Sequence, residues 1–544
     1  MKKRDEIPVC DTWNLADILP SDEAWEALFL ETERELAGYK EFEGHLAESG
    51  EMLFRCLKFD EEISLKIERL FVYGREKSDE DTAKAKYQDF YARAQALSYK
   101  AAGLSSYIVP EILAMDESVL NGLIRTEKEL RRYARTFEII MKKKAHTLSA
   151  GMEELLARSM EATQSPSDIF NMFNNADVKF PSITDSEGKE IPVTHGTYIP
   201  LMENRDRRVR KEAFQSMYSV YGQFANTLAA TFAANVKQAS FYAKTRSYAS
   251  SRAYYLAENE VPESVYDNLV AAIQEGLPLL HDYVAVRKNV LGLDEIHMYD
   301  LYTPMVSRDD SRIPYEEARE MVKKGLAPLG EKYLSLLQEG FDNRWIDVYE
   351  NEGKRSGAYS WGVYGTHPYV LLNYSGTLDS VFTLAHEMGH SLHSWFSDQA
   401  LPYVDAGYKI FVAEVASTCN EALLNRYLLA VTEDKKERAY LLNHFMESFR
   451  GTVFRQTMFA EFEAETHRRS EAGEPLTAEL LCRLYHELNV KYFGPEMVVD
   501  SEIDYEWARI PHFYTPFYVY QYATGFSAAM AISSRILAGD EQAL

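Results

Sequence analysis

The stretch Leu384-Ala385-His386-Glu387-Met388-Gly389-His390-Ser391-Leu392-His393 sets two histidines four residues apart, with a glutamate directly after the first. If the segment is helical, both imidazoles lie on one face, one turn apart. Two imidazoles so placed can share one tetrahedral zinc ion, at Zn–N distances of about 2.0–2.1 Å. Glu387 then sits about 100° around the helix axis, where it reaches a water on the metal without ligating the ion. A catalytic zinc needs a third protein ligand and one open position. Glu414 is the candidate, in Ile410-Phe411-Val412-Ala413-Glu414-Val415-Ala416-Ser417-Thr418-Cys419-Asn420-Glu421. Its apolar neighbours argue against an exposed surface acid. Glu421, two turns further on, and Asp379 are candidates to orient a ligating imidazole.

Other uses of these residues compete. Glu387-x-x-His390 is half of a di-iron bundle site, but the second copy that chemistry needs is missing; the nearest variant is Asp294-x-x-His297. A structural zinc in a non-catalytic peptide-binding protein would need a fourth protein ligand, such as His393 or His367. An exopeptidase would share the zinc geometry and differ in its products. A second cluster, Ile510 to Gly525, brings His512 together with Tyr514, Tyr518, Tyr520 and Tyr522. Imidazole N–H and phenol O–H groups suit the oxyanion of a tetrahedral intermediate, and the bland alternative is an aromatic core segment.

The elements that must position these residues are mainly helical. Thr377 or Asp379 can cap the segment that follows, whose Val381, Leu384, Ala385, Met388 and Leu392 form an apolar stripe. Pro402 and Gly407 mark a loop, and Phe411 to Ala430 reads as a second helix that can return beside the first. Residues 12–175 read as helix after helix, with Ser21 as a cap before Trp25, Leu28, Phe29 and Leu36. Around 178–200, Val178, Phe180 and Ile183 precede Asp185-Ser186-Glu187-Gly188, and Ile191 and Val193 follow, which suggests a β-hairpin and a domain boundary. The expected division is an N-terminal helical domain, 1–180, and a catalytic domain, 181–544. The clearest strands of the second half are Gly357 to Tyr364 and Tyr369 to Tyr374. The basic run Arg205, Arg207, Arg208, Arg210 and Lys211 reads as a solvated helix face.

The 544 residues carry 59 basic and 84 acidic side chains, a net charge of −25. Such a chain repels phosphate backbones and anionic membranes, so neither nucleic acid nor membrane is an expected partner. Four cysteines, Cys10, Cys56, Cys419 and Cys482, show no CxxC spacing. The charged start leads into no apolar signal region, and no apolar run is long enough to span a bilayer. A cytoplasmic location is expected. The sequence sets no oligomeric state.

These residues resemble the oligoendopeptidase F family of thimet-type metallopeptidases. The resemblance rests on Tyr369 to Tyr374, Phe382 to His393, Ala413 to Thr418, and Pro511-His512-Phe513-Tyr514 through Tyr518-Val519-Tyr520-Gln521-Tyr522-Ala523-Thr524-Gly525. Asp11-Thr12-Trp13-Asn14-Leu15 looks like the start of that family's N-terminal domain. The resemblance implies a mainly α, two-lobed fold with a deep substrate channel and a small β-sheet beside the zinc helix. It implies one Zn2+ per chain and internal cleavage of short unfolded peptides. It implies an edge strand, Tyr369, Val370, Leu371, Leu372 and Asn373, to which substrate adds as a further strand. It assigns substrate and oxyanion contacts to His512, Tyr518 and Tyr522, with Tyr514 and Tyr520 behind them. The chain stops at Gly539 to Leu544, where the family would continue in helix, so a truncated C-terminal end is expected.

Overall fold

The structure is a computed structural model that describes residues 2–306 and 312–544. It is mainly α, 72% helical, as expected. The chain folds as two compact units: Met1–Ala145 with Asp310–Val431 and Ala528–Leu544, and His146–Asp309 with Thr432–Ser527. The strands are short: β1 (Ile183–Thr184), β2 (Glu190–Ile191), β3 (Ile296–His297), β4 (Ile346–Asp347), β5 (Tyr359–Trp361), β6 (Tyr369–Leu371) and β7 (Met497–Val498).

The first unit begins with α1 (Asp22–Glu35), α2 (Gly50–Glu80) and α3 (Ala85–Ser105). Ser21 caps α1 by accepting the Ala24 N–H, as its sequence position suggests. Trp25 is wholly buried between the rings of Phe29 and Phe90, 5.3 and 3.9 Å away, and its indole N–H donates to the Leu70 carbonyl. One apolar core runs from Trp13 through these helices to Tyr369 and Leu371 on β6. Trp13 meets the rings of Tyr359 and Tyr369 and donates its N–H to Glu80. Lys354 and Asp347, both with buried side chains, form an ion pair at 2.6 Å, and Arg4 adds a second cation to Asp347. The N-terminal helices thus share a core with the sheet that carries β6.

That core differs from the expected division at 180. The hairpin at 178–200 exists, with Ile183 opposite Ile191, but it lies within the second unit. A local turn signal marks a change of element, whereas the units are set by packing between segments hundreds of residues apart. In the second unit the parallel pair β3–β7 joins Ile296 to Met497. Phe232, Phe462 and Phe513 pack ring against ring. The basic run is less solvated than expected. Arg210 is buried against Asp300 at 2.7 Å, Arg207 joins the same carboxylate, and Arg208 pairs with Glu212. A buried Asp draws guanidinium groups inward because its charge needs partners.

In the three-stranded sheet of the first unit the order is β4-β6-β5. β6 runs parallel to β4 and antiparallel to β5, with Val370 opposite both Ile346 and Ser360. Of the helices that follow it, two matter for the site: α4 (Leu378–Ala400) and α5 (Ile410–Val431).

Candidate active site

Thr377 caps α4 by accepting the Ser380 N–H at 3.2 Å. The expected stripe of Val381, Leu384, Ala385, Met388 and Leu392 is fully buried, which fixes the rotation of the helix about its axis. α5 packs against it unusually closely. A Cβ on Gly389 would stand 2.6 Å from Ser417 Cα and 2.9 Å from Ser417 N, so only glycine permits this approach. Asn420 adds a buried hydrogen bond, donating its amide to the Ala385 carbonyl at 2.9 Å.

This approach brings three ligand atoms together. His386 Nε2 and His390 Nε2 are 3.1 Å apart, and Glu414 Oε2 lies 3.4 and 3.5 Å from them. Tetrahedral ligands at about 2.0–2.1 Å from a metal stand about 3.3–3.4 Å from one another, so the triangle fits one such ion. Among the described residues it is the only group of three or more His, Cys, Asp or Glu side chains so placed. Among the described residues no fourth ligand closes it. His393 stacks on Tyr408 at 3.8 Å, and His367 stacks on Trp345 while its Nε2 meets Asp17.

The surroundings favour a cation. Glu421 Oε1 lies 2.5 Å from His386 Nδ1, which leaves Nε2 free to face the triangle. Burial opposes charge on His386, but the bond to Glu421 and the charges of Glu421, Glu387 and Glu414 outweigh it and raise its pKa to about 9. The bond to His390 holds Glu414 below the usual carboxylate range despite its burial, and Ser417 donates to its Oε2 at 3.2 Å. Glu387 is 6% exposed, and its Oε2 has no hydrogen-bond partner among the described residues. Burial raises its pKa against the opposing pull of both imidazoles, which suits a proton acceptor. Asp379 is not brought to the imidazoles. It is exposed in the first turn of α4, about 10 Å along the axis from His386 at the helical rise.

Known proteins are similar to this chain over most of its length. Residues 200–543 match the model of peptidase family M3, and residues 111–180 match an oligopeptidase F model. The chain is 51% identical over 534 residues to oligopeptidase PepF of Bacillus subtilis, covering 98% of this chain and 80% of that relative. It is 46% identical over 542 residues to an oligoendopeptidase F homolog of Lactococcus lactis, covering 99% and 90%. The solved structure of oligoendopeptidase-F from Enterococcus faecium superposes with a TM-score of 0.74 at 39% identity, over 96% of this chain and 89% of that one. The chain belongs to peptidase family M3.

Family M3 membership implies a metal-dependent peptidase, and the His386–His390–Glu414 triangle is the candidate site for a metal. One expectation is corrected within this M3 chain. β6 is the central strand, not an edge: the Val370 and Leu372 N–H groups donate to the Trp345 and Asp347 carbonyls, and β5 holds the other side. Tyr369, Val370, Leu371 and Leu372 are buried, so no peptide adds to them. The two-residue β4 gives no sequence signal, which made β6 look like an edge. The outer strands are β4 and β5, and Ser360 on β5 hydrogen-bonds Ser391, next to His390, at 2.7 Å. Asn373 donates to the Arg355 and Gly357 carbonyls and so pins the backbone that enters β5. A cavity of about 280 Å³ lies there, lined by Gly357, Ala358, Asn373, Ser380 and Thr383. Sequence reasoning passed over Gly389, Ser417 and Ser360; spacing flags only Ser417, one turn after Glu414.

The second expected group of this M3 chain lies in the second unit. His512 follows Pro511 in a short 3-10 helix. Tyr522 Oη lies 3.3 Å from His512 Nε2 and 3.5 Å from Tyr518 Oη. Burial and the Arg455 charge lower the His512 pKa, so its imidazole is neutral at pH 7. Tyr514 instead stacks on Phe170, and Tyr520 is buried against Tyr266.

Proposed function

We propose that this M3 chain is a zinc-dependent endopeptidase that cuts internal bonds of short unfolded peptides. The observation that carries this reading is the ligand triangle with its edges of 3.1, 3.4 and 3.5 Å. Two imidazoles and one carboxylate, with no fourth protein ligand, are the donor set of a catalytic zinc. His386, His390 and Glu414 would hold the ion, and Glu421 fixes the tautomer and ring orientation of His386. A zinc ion there supplies Lewis acidity toward water and toward the scissile carbonyl oxygen. Glu387 Oε2, buried and unpartnered, takes the proton of the attacking water and passes it to the leaving amine. The donors proposed for the developing oxyanion are His512, Tyr518 and Tyr522, and their mutual hydrogen bonds support this reading.

Substrate capture by strand addition moves from β6 to the outer strand β5, which Ser360 ties to α4 beside the metal ligands. The names of the M3 relatives support short peptides as substrates. No helix among the described residues is long and apolar enough to cross a membrane, and all four cysteines are free, which supports a cytoplasmic location.

Mass spectrometry of peptide digests, with and without a zinc chelator, tests the proposal. Internal cuts abolished by the chelator and restored by added zinc are expected. Cleavage that ignores the chelator, or product ladders from one terminus, would sink it.

A further inference from the structure

Phe517 stands immediately before Tyr518 in the turn Thr515-Pro516-Phe517-Tyr518. Its φ is +55°, a left-handed backbone that glycine or asparagine ordinarily supplies at such a turn. For a bulky aromatic residue this conformation is strained, and it persists only where its surroundings enforce it. Two contacts enforce it here. The Phe517 N–H donates to Glu463 Oε1 at 2.8 Å, in a fully buried hydrogen bond from the helix Arg455–Glu471, α6. The Phe517 ring, 3% exposed, is wedged against His467 at 4.7 Å on the same helix and against Tyr266 and Tyr255.

Glu463 is otherwise unexplained. It is 1% exposed, and among the described residues it has no ion-pair partner and its second oxygen has no hydrogen-bond partner. Burial pushes its carboxyl up to about 8, so it is largely neutral at pH 7 and acts as a hydrogen-bond acceptor, not as a charge. A buried acid with one backbone bond contributes little to stability that an apolar side chain would not. Its effect is local: it holds the one strained peptide beside the tyrosine pair.

We propose that Glu463 is a positioning residue, fixing the backbone at Phe517 and thereby the place of Tyr518 against Tyr522 and His512. The proposal rests on the reading of those three side chains as oxyanion donors. All the groups involved belong to the second unit. Without the acceptor, Phe517 relaxes toward negative φ, Tyr518 swings with it, and the donors lose their alignment. Transition-state stabilisation suffers while ground-state peptide binding is kept.

The test compares Glu463→Gln, Glu463→Leu and Tyr518→Phe in the zinc-loaded full chain. The readouts are steady-state cleavage of a quenched peptide and the inhibition constant of a phosphinic pseudopeptide of matching sequence. Gln keeps the acceptor, so Glu463→Gln stays within about twofold of the parent in kcat. Glu463→Leu lowers kcat about tenfold or more, leaves KM within about threefold, and weakens the phosphinate by a factor similar to the kcat loss. Metal content and melting temperature report whether the variants are folded. If Glu463→Leu does not fold, Glu463→Asp, with its carboxyl drawn back by one methylene, must show the same kcat-selective loss. A normal kcat, or a loss confined to KM, in the folded variant overturns the proposal. A normal kcat in Tyr518→Phe overturns the oxyanion reading beneath it instead.

Discussion

Glu387 and Glu414 are both glutamates at one metal-sized site, and their surroundings give them different tasks. Glu414 is hydrogen-bonded by Ser417 and faces both imidazoles, so its charged form is favoured, as the proposed role of metal ligand requires. Glu387 is more deeply buried, has an unpartnered oxygen, and is biased toward taking up a proton. The assignment predicts that Glu387→Gln keeps its metal while kcat falls by about 10³-fold or more, since amide oxygen cannot accept the proton. Elemental analysis and peptide turnover on the same sample check it. Turnover near the parent value would remove Glu387 from the mechanism. Most of this site is legible from residue types and spacing, because two histidines and a glutamate on one helix need no tertiary information to share a face. Glu421 was one of two candidates for the partner of His386, and only its 2.5 Å contact separates it from Asp379.

Between elements, the site depends on how closely α4 and α5 approach. Gly389 and Ser417 are in backbone contact, and that distance sets where Glu414 falls relative to the histidines. Gly389→Ala puts a methyl group 2.6 Å from a Cα that cannot step aside. The helices must separate, at a cost of about 1–3 kcal/mol in stability. Because the ligands sit on both helices, metal affinity falls together with the melting temperature. Chelator competition and thermal melts with and without zinc measure the two losses; a stability loss with unchanged metal affinity would show that the helix spacing does not position Glu414. The helices themselves, the Thr377 cap and the start of α5 follow from local pattern. The place of β6 does not, because a central strand and an edge strand of the same composition differ only in whether a partner such as β4 arrives from elsewhere in the chain.

At the scale of the molecule, stability depends also on buried groups within the second unit. His467 is 2% exposed, neither ring nitrogen has a hydrogen-bond partner among the described residues, and burial lowers its pKa from 6.5 to about 3. The folded state therefore keeps it neutral where the unfolded chain protonates it. Its contribution is intact above pH 6.5 and is lost as the pH falls toward 3, at up to about 1.4 kcal/mol per pH unit. His467→Phe, which keeps a ring against Phe517, should melt with a shallower dependence on pH than the parent between pH 6.5 and 4. Parallel slopes would mean that the imidazole is not held neutral. The sequence by itself determined the helical class and pointed to His386, His390, Glu387 and Glu414 as the candidate site, because these follow from periodicities of a few residues and from the donor needs of a metal ion. Only the tertiary structure decided that the N-terminal helices share a core with β6, that β6 is the central strand of its sheet, and that a left-handed phenylalanine leans on Glu463. Those outcomes arise from contacts between segments up to several hundred residues apart, and no local pattern records which partner a strand edge or a buried N–H will meet.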